Sequence, residues 1–241
     1  MSHQLAFTSS PNTPLSERTV GELVAERPGR SRVFQFHQID FCCQGGRTLR
    51  AACQLRGVPL DAVVTGLTAE ASNPTAAVPN PAELPPAELA AYLVETHHEY
   101  LRRELPRLHG MAERVARVHG GHTPSLIEVL EVFLGLEAEL TTHLLKEERI
   151  LFPAIAGMAN SGPVPGLLDG PIACMLHEHD DAGAAMKRLR ELTAGYQPPA
   201  EACNTYRALF AGLQELEVDL HRHIHLENSV LFPAAQALAC G

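Results

Sequence analysis

Tryptophan is absent from this 241-residue chain, and aromatic residues make up only 5% of it. A core built on aromatic plates is therefore excluded. Volume must come from Leu, Val and Ala, and Ala and Leu at this density favour helix over strand. No run of about 18 apolar residues occurs, so no membrane span is expected. Met1 to Arg18 is polar and has no apolar leader-like stretch. It reads as a flexible tail (residues 1–15), and the expected location is cytoplasmic. Basic residues are also scarce: 19 Lys and Arg stand against 28 Asp and Glu, a net charge of −9. That balance excludes the basic stripe of a nucleic-acid binder and disfavours docking on anionic lipid. The six cysteines form no CxxC pair, which argues against a disulfide framework.

Histidine is what the chain has in excess, with 13 copies. Their positions carry more than their number. Residues 71–86 hold five prolines in sixteen positions and read as a linker. It separates a small N-terminal domain (16–70) from a larger one (87–241). In the small domain, Thr19 with Glu22 fits a capping box opening a helix over 20–26. Further helices are expected over 31–37, 48–56 and 60–67. Gly57 closes the third and Pro59 opens the fourth. The larger domain shows four long helical patterns, about 87–118, 124–152, 171–192 and 200–232. Short connections between them predict an up-down four-helix bundle, an all-α fold.

One repeat lies inside that bundle. Residues 143–153 read HLLKEERILFP and residues 223–233 read HIHLENSVLFP, identical at five of eleven positions. Each copy puts a His and a Glu four residues apart on the apolar stripe of its helix, one turn from each other. On the other two helices the phase selects His98 over His97 and His179 over His177. His97, His109, His177, His221 and His225 are expected on the surface. A lone inward His is ordinarily a satisfied core residue, and His-x-x-x-Glu is common on helices. Two copies at matching helix ends, joined by two more in-phase His, point instead to metal. The candidate ligands are His98, His143, Glu147, His179, His223 and Glu227. Four imidazoles and two carboxylates suit two first-row cations bridged by the carboxylates, with an oxo or hydroxo bridge balancing charge. Glu147 and Glu227 are the expected bridges, and six ligands leave coordination positions open.

His119 lies in phase near the far end of the first long helix, which suggests a supporting or gating role at the metal. Cys42 and Cys43 precede Gly45-Gly46 and form a candidate thiol site, reactive if the helix start at Thr48 favours a thiolate. The alternative is a small buried Cys pair beside a Gly turn. Cys53, Cys174, Cys203 and Cys240 read as small apolar residues.

Taken together, these pieces resemble the repair-of-iron-centres family, iron–sulfur cluster repair proteins with a hemerythrin-like domain. The resemblance rests on Gly21-Glu22-Leu23, Asp40-Phe41-Cys42-Cys43 with Gly45-Gly46, and His97-His98 with Leu105-Pro106. It also rests on His143 with Glu147, Gly170-Pro171-Ile172 leading to His179-Asp180, and His223 with Glu227 and Leu231-Phe232-Pro233. Gln44, between the cysteines and the glycine pair, departs from the family pattern. The resemblance implies iron at the six ligands already selected, two ions per chain, and a thiol role for Cys42 and Cys43. It implies repair of clusters damaged by oxidative or nitrosative stress, with damaged iron–sulfur proteins and nitric oxide or reactive oxygen species as partners. Iron donation, nitric oxide handling or both would serve that end. A homodimer suits a small Cys-bearing domain on a Pro-rich linker. Three other readings stay open: a hemerythrin-like oxygen or nitric oxide carrier or sensor, a nitric oxide reductase or peroxidase, and a metal-free bundle. Whether the protein turns over as an enzyme is left open by the sequence.

Overall fold

The computed structural model describes residues 13–71 and 80–240. Most of the expected tail and the centre of the expected linker (residues 1–12 and 72–79) lie outside the described residues. In chain order the helices are α1 (Val20–Glu26), α2 (Ser31–Phe36), α3 (Leu49–Arg56), α4 (Leu60–Ala71), α5 (Pro86–Leu93), α6 (Glu99–His119), α7 (Ser125–Lys146), α8 (Phe152–Ser161), α9 (Asp169–Leu192), α10 (Asn204–Leu226) and α11 (Phe232–Cys240). Three π-helical turns join helices end to end: Val94–His98 between α5 and α6, Glu147–Leu151 between α7 and α8, and Glu227–Leu231 between α10 and α11. Among the described residues there is no strand, only an isolated bridge between Thr19 and Thr48. None of the described helices is long and apolar enough to cross a membrane.

The chain forms two compact units. One comprises Met1–Ala91, Ile155–Leu168 and His221–Gly241; the other comprises Tyr92–Ala154 and Asp169–Leu220. The second unit holds α6, α7, α9 and α10 as far as Leu220, the four helices of an up-down bundle. Its core is the apolar stripe read from the sequence. Leu101, Leu105, Leu108 and Val115 on α6, Val129, Phe133 and Leu136 on α7, Met175 and Met186 on α9, and Leu209, Leu213 and Leu216 on α10 are all buried. Pro106 lies inside α6, which runs on through it.

The first unit starts from local capping. Thr19 Oγ1 accepts the Glu22 amide at 3.2 Å, and Glu22 accepts the Thr19 amide at 3.0 Å, so the expected capping box is closed. Thr48 caps α3 through the Ala51 amide at 3.3 Å, and Gly57 ends it with φ +67°. The two helix starts are tied together by Val20 N to Arg47 O and Leu49 N to Arg18 O, both 2.9 Å. Val20, Leu23, Phe34, Phe41, Leu49, Val63 and Leu67 fill the space between these short helices.

The π turns depart from the sequence reading, which expected Pro153 to disturb the second long helix. The helix instead widens over Glu147–Leu151 and continues as α8. A proline cannot donate to the carbonyl four residues back, and its ring crowds that carbonyl. A π turn placed before Pro153, and again before Pro233, relieves the crowding while the helix goes on.

Candidate metal centre

Each π turn begins or ends on a predicted ligand: His98 closes the first, Glu147 opens the second and Glu227 opens the third. Such turns gather at functional sites because they re-aim side chains within an otherwise regular helix.

In the second unit four of the predicted ligands converge. Glu147 is fully buried, and its Oε2 lies 3.4 Å from both His98 Nε2 and His143 Nε2. His179 Nε2 lies 3.2 Å from His143 Nε2. Neighbouring ligand atoms about 2.1 Å from one ion are about 3 Å apart, so this spacing suits cation binding. In the first unit His223 Nε2 and Glu227 Oε1 are 3.0 Å apart, with Glu227 fully buried.

The outer ends of two imidazoles are also held. His98 Nδ1 is 2.7 Å from Glu148 Oε1, and Arg102 bonds the same carboxylate. His143 Nδ1 is 2.8 Å from Glu178 Oε2, and Lys146 bonds that carboxylate. Burial raises the Glu148 carboxyl, but hydrogen bonds to His98 and Arg102 outweigh it and hold the carboxyl below its usual range. Glu178 follows the same balance, with Lys146, His143 and Cys174 as the bonded partners. A carboxylate on Nδ1 keeps the proton there and turns the Nε2 lone pair inward, the arrangement that metal-ligating histidines adopt. The donor set therefore fits a bound first-row cation. Glu148 and Glu178 escaped the sequence reading. Their one signal is adjacency, since each directly neighbours a ligand.

Residues 89–235 match the family described as the Hemerythrin HHE cation binding domain, and residues 16–71 match ScdA_N, described as a domain of unknown function. Over 220 residues the chain is 39% identical to the iron–sulfur cluster repair protein YtfE of Pectobacterium carotovorum, which covers 91% of this chain and 96% of that protein. The YtfE protein of Yersinia pestis is 38% identical over 219 residues, 90% of this chain and 96% of its own. The chain belongs to the YtfE family of iron–sulfur cluster repair proteins.

The cysteine motif Asp40-Phe41-Cys42-Cys43 sits in the first unit. Asp40 Oδ1 accepts the amides of Cys42, Cys43 and Gln44 at 3.0, 2.9 and 3.3 Å, which folds the loop around one carboxylate. Asn228, next to Glu227, donates to the Cys42 carbonyl at 3.3 Å. The loop is therefore pinned to the turn that carries a predicted ligand. The two Sγ atoms are 3.7 Å apart. The Cys43 thiol, burial and the Asp40 carboxylate push the Cys42 thiol well above its ordinary range. For Cys42 this runs against the expectation of a thiolate favoured by the helix start at Thr48.

The family glycines have a steric reason. A Cβ on Gly21 would meet Ser229 Oγ at 2.7 Å, and one on Gly45 would meet the Phe41 carbonyl at 2.8 Å. Gly45→Ala is expected to push the loop off its seat and to lower stability by about 1–3 kcal/mol. Urea unfolding of the variant against the parent reads this directly, and an unchanged midpoint would contradict it.

Further expectations are revised by the structure. His97 is buried, not exposed: the π turn carries two adjacent residues inward, and His97 Nδ1 meets Asp219 at 2.9 Å. His225 is buried because the Phe41 ring covers it, with centroids 5.6 Å apart, and that burial lowers its imidazole to about 4. His119, expected to support the metal, lies away from the ligands of its unit. It sits 21 residues along the rod from His98, about 30 Å at the helical rise, against Cys203 and Tyr206. Cys174 and Cys203, read as small apolar residues, are both exposed. His177 is exposed as expected, and His109 is partly exposed and paired with Glu137.

Proposed function

We propose that the protein repairs iron–sulfur clusters damaged by oxidative or nitrosative stress, using two irons bound by His98, His143, Glu147, His179, His223 and Glu227. His98 and His143 lie beside Glu147, with His179 against His143, in one unit, and His223 lies beside Glu227 in the other. The observation that carries the reading is the Glu147 carboxylate, equidistant from the His98 and His143 nitrogens in a fully buried position. A carboxylate so placed would serve two bound cations, and Glu227 is its counterpart in the sequence repeat. With two cations bound, an oxo or hydroxo ligand would balance the charge left over by the two carboxylates.

When bound, the irons supply redox chemistry and open coordination positions for nitric oxide or reactive oxygen species. The chain does the rest. Glu148 and Glu178 hold His98 and His143 in the ligating tautomer. Phe152, stacked 5.7 Å from His98, covers that imidazole. Six protein ligands for two ions also make iron a cargo that can leave. Cys42 and Cys43 are its proposed handling point, since their sulfurs and an Asp40 oxygen lie within 4.8 Å of one another. The partners are damaged iron–sulfur proteins in the cytoplasm. A homodimer is supported by Phe36 and Leu55 of the first unit, 83% and 65% exposed.

Elemental analysis of anaerobically purified protein is the first test, followed by reactivation of a nitric-oxide-damaged [4Fe–4S] dehydratase. About two irons per chain and reactivation that consumes them are expected. No iron, or a single zinc, overturns the reading. Nitric oxide consumed far beyond the iron content, with an electron donor present, would move the assignment to a reductase.

A further inference from the structure

At the far end of α6, His119 and Cys203 meet across the second unit, with His119 Nε2 3.3 Å from Cys203 Sγ. Neither belongs to the ligand set. The Cys203 carbonyl accepts the Arg207 amide at 3.0 Å, so this cysteine is the N-cap of α10. As N-cap, this residue flanks the first unpaired amides of a long helix. The Tyr206 ring, 5.4 Å from the imidazole, backs His119. A cleft of about 390 Å³ opens onto the pair, lined by Arg114, Val115, Val118, Asn204 and Thr205. Cys203 is exposed. A thiol in reach of an imidazole base, at a helix N-terminus and in an open cleft, is the arrangement of an activated nucleophile.

We propose that Cys203 is a redox-modification site that exchanges with small anionic disulfides of the glutathione class, with His119 as its base. The cleft has the volume of a small-molecule site. Val115 and Val118 offer an apolar wall, and Arg114 offers a cation for a carboxylate of the incoming disulfide. In the exchange, Cys203 gives its proton to His119 Nε2 and its sulfur attacks one sulfur of the disulfide RSSR. A new Sγ–S bond forms and the S–S bond of RSSR breaks. The leaving thiolate takes the proton from the imidazolium and departs as RSH. Cys203 is oxidised to a mixed disulfide and half of RSSR is reduced, so the step balances without another reactant. Excess RSH reverses it.

Cys174 provides an internal comparison. It is exposed too, but its Sγ lies 3.4 Å from the Glu178 carboxylate, and burial together with that carboxylate pushes its thiol up. The experiment incubates the iron-loaded protein with glutathione disulfide at neutral pH, quenches with acid and maps modified peptides by mass. Cys203 is expected to be modified at least about tenfold faster than Cys174. His119→Gln should bring Cys203 down to the Cys174 rate while leaving the helical circular dichroism unchanged. Arg114→Gln, which leaves the pair itself intact, should slow exchange with glutathione disulfide but not with neutral 2-hydroxyethyl disulfide. A structural role for Arg114 would slow both. Equal rates at Cys203 and Cys174 overturn the proposal, as does a Cys203 rate indifferent to both substitutions.

Discussion

Glu147→Gln is expected to emerge from anaerobic purification with iron reduced from about two per chain to a small fraction of one. The amide keeps the shape of the side chain, so packing is preserved. What it loses is the negative charge between His98 and His143, each 3.4 Å from the carboxylate oxygen. An amide also presents a donor face that cannot ligate. Because the carboxylate is proposed to serve both cations, one substitution empties both positions. A terminal ligand such as His179 would empty mainly one. Thermal melts with and without chelator complete the test. In the parent, removing metal bound at a thousand times its dissociation constant costs about 4 kcal/mol. In Glu147→Gln the two melts should coincide, since there is no metal to remove. Glu227→Gln is expected to behave in the same way. If it kept both irons, the pair His223–Glu227 would not belong to the centre. If Glu147→Gln kept both, the bridging assignment would fail.

The two carboxylates also show where sequence reasoning reaches and where it stops. The choice of His98 over His97 and of His179 over His177 follows from helical phase, because an inward stripe advances in steps of three and four. Val129, Phe133, Leu213 and Leu216 keep the same steps along their helices and are all buried. Capping chemistry at Thr19 was legible because it is local to four residues. The π turns were not. An inserted residue leaves no mark on composition, and it breaks the phase rule exactly where the ligands sit. This is why His97 was read as exposed although it is buried beside Asp219. His225 was misread for a different reason: its cover, Phe41, comes from far away in the sequence. No periodicity within one helix reports such a contact. Glu148 and Glu178 belong to the same class, since their partners lie 50 and 35 residues away.

Those two carboxylates carry the last prediction. Replacing Glu178 with Ala should weaken iron binding by about 10–100-fold in chelator competition, and Glu148→Ala should act likewise. The argument runs through the imidazoles. With its Nδ1 proton held by a carboxylate, His143 offers the Nε2 lone pair at no cost of reorientation. Without that partner the ring can flip or change tautomer, and the ligating state becomes one of several. The Gln variants should fall nearer the tenfold end, because the amide oxygen still accepts the Nδ1 proton and only the charge is lost. Both carboxylates are about a quarter exposed, at 23% and 25%, so the folded bundle should tolerate either change. Glu137→Gln is the control. Glu137 lies 2.6 Å from His109 Nδ1, a contact of the same kind made by a histidine outside the ligand set. It should leave iron affinity unchanged. Equal weakening by Glu137→Gln and Glu178→Gln would mean that general electrostatics, and not the orientation of His143, sets the affinity.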